Sequence, residues 1–437
     1  MVSTTWHAVY RLPVQIIEPG RTISFSYNKQ GQLLTRTEVD TQTERSWLQK
    51  LVNSHPTREW QYQYNAQNLL ASVDGPRTDV NDITHYGYDQ QGRRISVSNA
   101  LNHSVQTLAF NAQGLPTQLR DANGVIIRLT YNDRGWLTSK ALQGPDGDEL
   151  TRYQYTGRSS YNGGGSGVIA EGLVSEIIAA DGSKIAYQYD AGGRVISISN
   201  ASGEKIQYTR DIAGNPVKET TYREGGELLR QHNKAYDELS RLLSVVGVDG
   251  VRSDYLYDKA GNRITAIDGL GNKTQFAFDA LNRLVTTTDA LNGEVHQRYD
   301  ARDQLVAVED QRGLVTQYRY NGFGDKIAQI SPDTGETLYG YDEAGNLIVK
   351  RNANNNVSEF QYDALNSLTA ISYLAANDDD IYYVYDQAAV SDFAIGRMAQ
   401  VTDASGQTTY SYNLNTIDES SIYGCARFVL NHKASQR

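Results

Sequence analysis

"YDEAGNLIVKRNANNNVSEFQYDALNSL" occupies residues 341–368 and states one motif twice. Each copy reads Tyr-Asp, two residues, Gly or Asn, then apolar residues, and a polar stretch leads to the next Tyr-Asp. Self-similarity at a fixed step decides a fold before any residue is read alone. Working outward, the anchors fall at Tyr27, Tyr64, Tyr88, Phe110, Tyr131, Tyr155, Tyr189, Arg210, Tyr236, Tyr257, Phe278, Tyr299, Tyr320, Tyr341, Tyr362, Tyr385 and Tyr412. The step is 21 residues six times running from Tyr236 to Tyr362 and stretches to 37 between Tyr27 and Tyr64. A fixed step with variable insertions describes a rigid unit joined by surface loops.

The residue after the anchor is Asp or Asn in sixteen of seventeen copies, Thr156 being the exception. Both side chains accept hydrogen bonds from backbone N–H groups two residues on and hold a turn. Four residues after the anchor stand glycines nine times, among them Gly193, Gly261 and Gly345, and Asn68, Asn282, Asp303 and Asn366 in four other copies. These types tolerate positive φ, so each pair such as Asp190 and Gly193, Asp258 and Gly261, Asp279 and Asn282, Asp342 and Gly345, or Asp363 and Asn366 reads as a hairpin turn closed by a left-handed residue. In "TQFAFDALNRLVTTTD" (274–289), Phe276 and Phe278 share a strand face, residues 279–282 turn, and Leu284 to Thr288 return. A second turn follows near residues 289–294. Only "TERSWLQKLVN" (43–53) has helical spacing, at Trp47, Leu48 and Leu51.

Seventeen hairpins imply about 34 strands, a ribbon roughly 160 Å wide at about 4.8 Å per strand. Open twisted sheets beyond about ten strands curl or split. Closed once, the ribbon would be about 50 Å across, far wider than the eight-stranded barrel that side chains can fill. The expectation is therefore an all-β chain of antiparallel hairpins wound into a large, hollow spiral shell, partial or C-shaped. A flat solenoid with a narrow core and a set of separate β-sandwiches stay open, although the unbroken 21-residue phase leaves no room for linkers.

Composition agrees. There are 30 Tyr against 8 Phe and 4 Trp, and Tyr suits half-buried sheets. Net charge is −10, which argues against binding nucleic acid or anionic lipid. The single cysteine, Cys425, excludes an internal disulfide and a cysteine metal cluster. No signal peptide is visible in the first twenty residues, and no apolar run is long enough to span a membrane.

The repeats at 257–295 and 88–100 resemble the YD repeats of the Rhs family, and the resemblance covers residues 23–413. It is related to the C component of insecticidal toxin complexes and to the teneurins. The resemblance implies a spiral β-shell that in bacterial members encloses a C-terminal toxin. It further implies a bacterial origin and export or delivery by a secretion system. The sequence departs from the family pattern in lacking any Asp-Pro dipeptide, so no self-cleaving residue carries over. A lead-in at 1–22, a shell at 23–413 with insertions near 35–60, 141–175 and 387–396, and a non-repeat tail at 414–437 are expected. The tail reads as a truncation or frame shift, with a small unrelated C-terminal extension as the alternative, since it abandons the repeat after Asn413 and puts Thr416 where the turn glycine belongs.

Chemistry is sparse. The seven histidines are scattered, with no HExxH pattern. "NGGGSG" (162–167) lacks the Lys and Ser/Thr of a phosphate loop, and the acids at 144–149 and 377–386 lack EF-hand spacing. Neither a catalytic residue, a metal site nor a cofactor is expected. Arg210, replacing the aromatic anchor, marks either an opening of the wall or a stem laid along the sheet. The reading is a non-catalytic shell segment whose partner is an enclosed toxin domain or polypeptide. The alternative is a secreted or cell-surface module whose tyrosine-rich face binds carbohydrate or another cell.

Overall fold

The computed structural model describes residues 2–42, 57–144, 147–157, 171–374, 380–387 and 393–412. The segment with helical spacing, the glycine-rich stretch at 162–167, Cys425 and the tail from 413 lie outside them. Thirty-five strands, β1 (Ser3–Trp6) to β35 (Gly406–Thr409), form one sheet. Every pairing is antiparallel and joins sequence neighbours, as where β22 (Arg263–Ile267) lies between β21 (Arg252–Tyr257) and β23 (Lys273–Phe278). The only helical element among the described residues is a three-residue turn, Glu224–Gly226. The return strand expected at 284–288 is β24 (Leu284–Thr288).

The meander forms because each 21-residue unit carries two turns of one kind. At the anchor end Asp279 N donates to Arg283 O and Asn282 N donates to Asp279 O, both at 3.0 Å. At the other end Asp268 and Gly271 repeat the pattern, as do Asp310 and Gly313. The closing residue has positive φ at both ends, as at Gly261 (94°), Asn282 (60°) and Gly271 (85°). This is a type I turn closed by a left-handed residue, with a bulge at the anchor. Leu256 pairs with Thr265 but Tyr257 with Arg263, leaving Ile264 as the extra residue.

The core is a thin line. Only thirteen hydrophobic residues among those described are buried, and Ile127 is the one large side chain fully so. Ser244, Thr265, Ala307, Ala328, Val349 and Ala370 are all buried. They lie at multiples of 21 residues, so a row of small side chains runs along the ribbon at one height. Each strand's main contacts are with the strands beside it in the sheet.

The ribbon does not close once, as the circumference argument assumed; it overlaps itself. The turn between β2 (Pro13–Glu18) and β3 (Arg21–Tyr27) meets the turn between β25 (Glu294–Tyr299) and β26 (Leu305–Glu309), where a Cβ built on Gly20 would lie 3.3 Å from Arg302 Nη1. The turn between β10 (Pro116–Arg120) and β11 (Ile126–Tyr131) meets the segment between β33 (Ile381–Tyr385) and β34 (Met398–Asp403), through Asn123 and Ile395. Both meetings span twenty-three strands. At about 4.8 Å per strand, one winding is roughly 110 Å around and about 35 Å across. That is narrower than the once-closed ring, yet still too wide for side chains to fill. The spiral is open: among the described residues β1 pairs only with β2, and β35 only with β34.

Candidate functional site

Two constructions carry the architecture: the row of anchors along each winding, and the seam where one winding sits on the next.

At the anchor row the described residues that follow the anchors cap their turns. Asp279 Oδ1 accepts from Leu281 N (2.9 Å) and Arg283 N (3.0 Å), and Asp363 Oδ1 accepts from Leu365 N and Ser367 N (both 2.8 Å). Asp190 accepts from Gly192 N and Arg194 N, while Asp258 and Asp342 each accept from the amide four residues on. The Arg283 amide, then its guanidinium, hold the Asp279 carboxyl below the ordinary range, and the Asn262 side chain does the same first for Asp258.

The anchor hydroxyls do something the repeat pattern did not reveal. Tyr257 OH donates to Leu242 O (2.9 Å), Tyr320 to Leu305 O (2.9 Å), Tyr341 to Lys326 O (2.9 Å) and Tyr362 to Leu347 O (3.0 Å). Tyr131 and Tyr189 reach Pro116 O and Val174 O in the same way. Each acceptor lies fifteen residues back, at the start of the preceding return strand, so each anchor latches its hairpin to the one before. Tyr27, Tyr64 and Tyr236 make the same kind of bond across longer or shorter connections, to Pro13 O, Leu33 O and Pro216 O. Tyr299 instead donates to Gln297 Oε1 (3.1 Å). Tyr88 and Tyr385 are half-buried at the same turn position. Burial, with Asp325 nearby, pushes the Tyr341 hydroxyl up to about 12.

Arg210 fits this rule. Its Nε and Nη2 donate to Val195 O at 3.1 and 2.8 Å, again fifteen residues back, and Nη1 donates to Gly214 O at 2.9 Å. The ladder continues through Thr209 and Arg210 to β18 (Pro216–Tyr222), so the wall does not open there. A guanidinium replaces a phenol as donor to the same backbone acceptor. The residue two before the anchor adds a second row of rings with cations between them. Arg263 lies over Tyr255 and Phe276 (both 5.5 Å), and Lys326 over Tyr318 and Tyr339 (5.6 and 4.8 Å).

The seam joins non-anchor turns of the first winding to anchor turns of the second. Arg58 Nη2 pairs with Asp325 Oδ2 at 2.6 Å, and its guanidinium lies 4.2 Å from the Phe323 ring. Arg77, with its side chain 2% exposed, donates to Asp363 O and to Asn366 Oδ1 (3.4 Å) and faces Asp342 Oδ2 at 3.6 Å. Thr78 Oγ1 donates to Glu343 Oε1 at 3.1 Å, and His103 Nε2 lies 3.6 Å from Asp386 Oδ2. Ile395 N donates to Asn123 Oδ1 at 2.9 Å, and Phe393 packs on the Val125, Ile127 and Leu142 cluster. None of these partners is recognisable from sequence, because their separations follow from the curvature of the sheet.

Among the described residues no cluster of three or more His, Cys, Asp or Glu is placed to hold a metal, and no helix is long and apolar enough to cross a membrane. Asp380, one of the acids noted from sequence, instead accepts from Tyr373 N and Tyr382 OH. The tyrosines are half-buried throughout; among those described only Tyr382 and Tyr410 are exposed.

No curated protein matches the sequence. Among solved structures, the chain is similar to a crystal structure of TcdB2-TccC3-TEV at 14% identity and a TM-score of 0.63, with 94% of this chain and 27% of that one covered. It is also similar to the Photorhabdus luminescens Tc holotoxin pore carrying a TccC3 mutation, at 14% identity and a TM-score of 0.62, with 94% and 26% covered. At that identity the likeness is one of fold, and the chain spans about a quarter of the length of those it matches. The family model for the teneurin YD-shell matches residues 23–209 and 211–391, parted only at Arg210. With most of its length so matched, and with tyrosine–aspartate hairpins wound into an open spiral sheet, the chain belongs to the teneurin YD-shell family.

Proposed function

We propose that this chain is wall: about one and a half windings of a bacterial, exported shell that encloses a toxin domain or partner polypeptide and acts by exclusion. The observation that carries the reading is the return of the ribbon onto itself after twenty-three strands, through Gly20 and Arg302 at one place and Asn123 and Ile395 at another. A wall about 35 Å across whose strands make their main contacts with the strands beside them bounds a space that its own side chains do not occupy. An enclosed polypeptide can neither reach its target nor complete its fold there. The wall needs no reactive group, only stiffness, and the backbone ladders with the anchor latches supply it. Two of the structures of like fold carry names that set TEV and Cdc42 beside TcdB2-TccC3.

The test is solution scattering of the purified chain, followed by proteolysis of an unstructured reporter fused after Arg437. The expected scattering is that of a hollow particle, with the reporter cut more slowly than the same reporter free. A solid-particle curve, or cleavage at the free rate, overturns the reading.

A further inference from the structure

Within a winding, neighbouring strands are joined by continuous backbone ladders. Across the seam no ladder joins the described residues; turns meet through side chains and through the close approach of Gly322 to Gly20 O, and the side-chain contacts divide into two kinds. Among the described residues from Gly20 to Thr78 they are polar: Arg58 with Asp325, Arg77 with Asp342 and the 363–366 turn, Thr78 with Glu343. From Asn123 to Leu142 they include an apolar plug, Phe393 on Val125 and Ile127. The polar stretch also carries buried atoms without a protein partner, Arg58 Nε and Asp82 Oδ1. A buried polar atom left unsatisfied favours the state in which water reaches it. Closure is therefore stabilised by paired charges and opposed by desolvation, at one place and in one element, which is the make-up of a two-state device.

We propose that the polar stretch of the seam is a lateral gate, in which the windings part between Gly20 and Glu343 while every strand stays paired, hinging on the Phe393 contact. Arg77 is its latch, because among the described residues its guanidinium alone spans two successive anchor turns of the other winding, at Asp342 and at Asp363–Asn366. The parting stands on the seam geometry alone. That an enclosed polypeptide passes through it rests on the reading of the chain as a shell.

Arg77 supplies its own probe. Trypsin cuts after arginine, and this side chain is 2% exposed while the seam is closed. Native full-length chain is exposed to trypsin, and cleavage at Arg77–Thr78 is timed against cleavage at Arg319–Tyr320, inside β27 (Val315–Tyr320). Cleavage at Arg77 well before Arg319 is expected, because local opening precedes global unfolding. Asp342→Asn keeps the turn cap, which Asn makes at Asn321, but removes the other winding's charge at Arg77, leaving the pair that Arg77 makes with Asp79 in its own loop at 2.6 Å. It is expected to speed cleavage at Arg77 by about tenfold, the factor for a 1.4 kcal/mol weakening, with Arg319 unchanged. Glu343→Gln is the second variant, with a smaller effect in the same direction. Amide exchange at Ile395 should stay at its native rate in both variants, since the hinge holds. Simultaneous cleavage at Arg77 and Arg319, or an Asp342→Asn chain no faster at Arg77 than the native one, overturns the gate. Failure of the reporter to be shielded, with the trypsin order intact, removes the cargo and leaves the gate.

Discussion

The turns at 279–283 and 321–325 are the same loop with different neighbours. In both, the first residue's amide reaches the fifth carbonyl at 3.0 Å and a left-handed residue closes the turn, Asn282 at φ 60° and Gly324 at φ 98°. The first stands free at the wall's edge, with Leu281 67% exposed. The second lies under the other winding: Asn321 is buried, Phe323 sits beneath Arg58, and Asp325 pairs with it. The loop therefore needs nothing beyond its own residues, and the seam is added to a turn that is already formed. Where the winding is added, one residue changes character. The second turn position holds Ala280, Ala301, Glu343 and Ala364 in neighbouring repeats, covered or free, but Gly322 where the turn passes over Gly20. A Cβ built there would lie 2.0 Å from Gly20 O and 2.4 Å from Asp40 Oδ1.

Gly322→Ala breaks the comparison most directly. The methyl drives into a backbone carbonyl of the other winding, which cannot rotate away, so a loss of about 3 kcal/mol is expected. Ala280→Gly at the free turn should cost only about 0.5–1 kcal/mol, through chain entropy. Urea unfolding of the two variants measures both. Equal small losses would mean that the windings are not in contact at Gly20.

Tyr341→Phe tests the latch that both kinds of turn share. It removes the donor to Lys326 O in a half-buried setting and should cost about 1 kcal/mol. The natural control is Phe278, whose hydroxyl-bearing variant would face Arg263 O, fifteen residues back. Phe278→Tyr should therefore stabilise by a similar or smaller amount. If neither substitution moves the urea midpoint, the hydroxyls are ornaments on rings that only pack.

The free turn was legible in the sequence, residue by residue: Asp279 and Asn282 carry its chemistry within four positions, and local chemistry is what a pattern displays. The opposite turns were nearly as legible, since Asp268 and Gly271 repeat the same types. The latch was not legible because its acceptor is a backbone carbonyl, which any residue supplies. Arg210 stood out as a departure but showed its meaning only once Val195 O was seen to be the shared target. The seam was out of reach for a different reason. Whether Arg58 meets Asp325 depends on curvature accumulated over twenty-three strands, and no short stretch of sequence encodes that sum. Gly322 is its one sequence trace, hidden among glycines that serve turns.

Acid separates the two regions by sign. At free turns the Asp279 and Asp258 carboxyls are held low by hydrogen bonds to their ionised form. They contribute stability that is present above the ordinary carboxylate value of about 4 and lost as pH falls through their lower folded values. At and beside the seam, burial pushes Asp82 and Asp121 up. The folded state then holds their protons more tightly than the unfolded state does, so stability rises as pH falls through the raised values toward about 4. Urea stability should therefore climb gently on mild acidification and then fall. Asp82→Asn with Asp121→Asn should abolish the climb and leave the fall. A monotonic loss from pH 7 downward in the native chain would contradict the assignment.

The smallest effect belongs to a free turn that breaks its own rule. Ser240 closes the turn begun by Asp237 at φ 63°, where the other described anchor turns place Gly, Asn or Asp. A serine Cβ in that region is strained by about 1 kcal/mol, while glycine adds unfolded-chain entropy worth roughly half of that or more. Ser240→Gly should stabilise by about 0.5 kcal/mol or less, read as a higher urea midpoint at unchanged slope. Because the turn carries no second winding, the change should leave the timing of cleavage at Arg77 untouched. If Ser240→Gly altered that timing, strain at the free edge would be reaching the seam, and free and covered turns would not be the independent units that their shared hydrogen bonds imply.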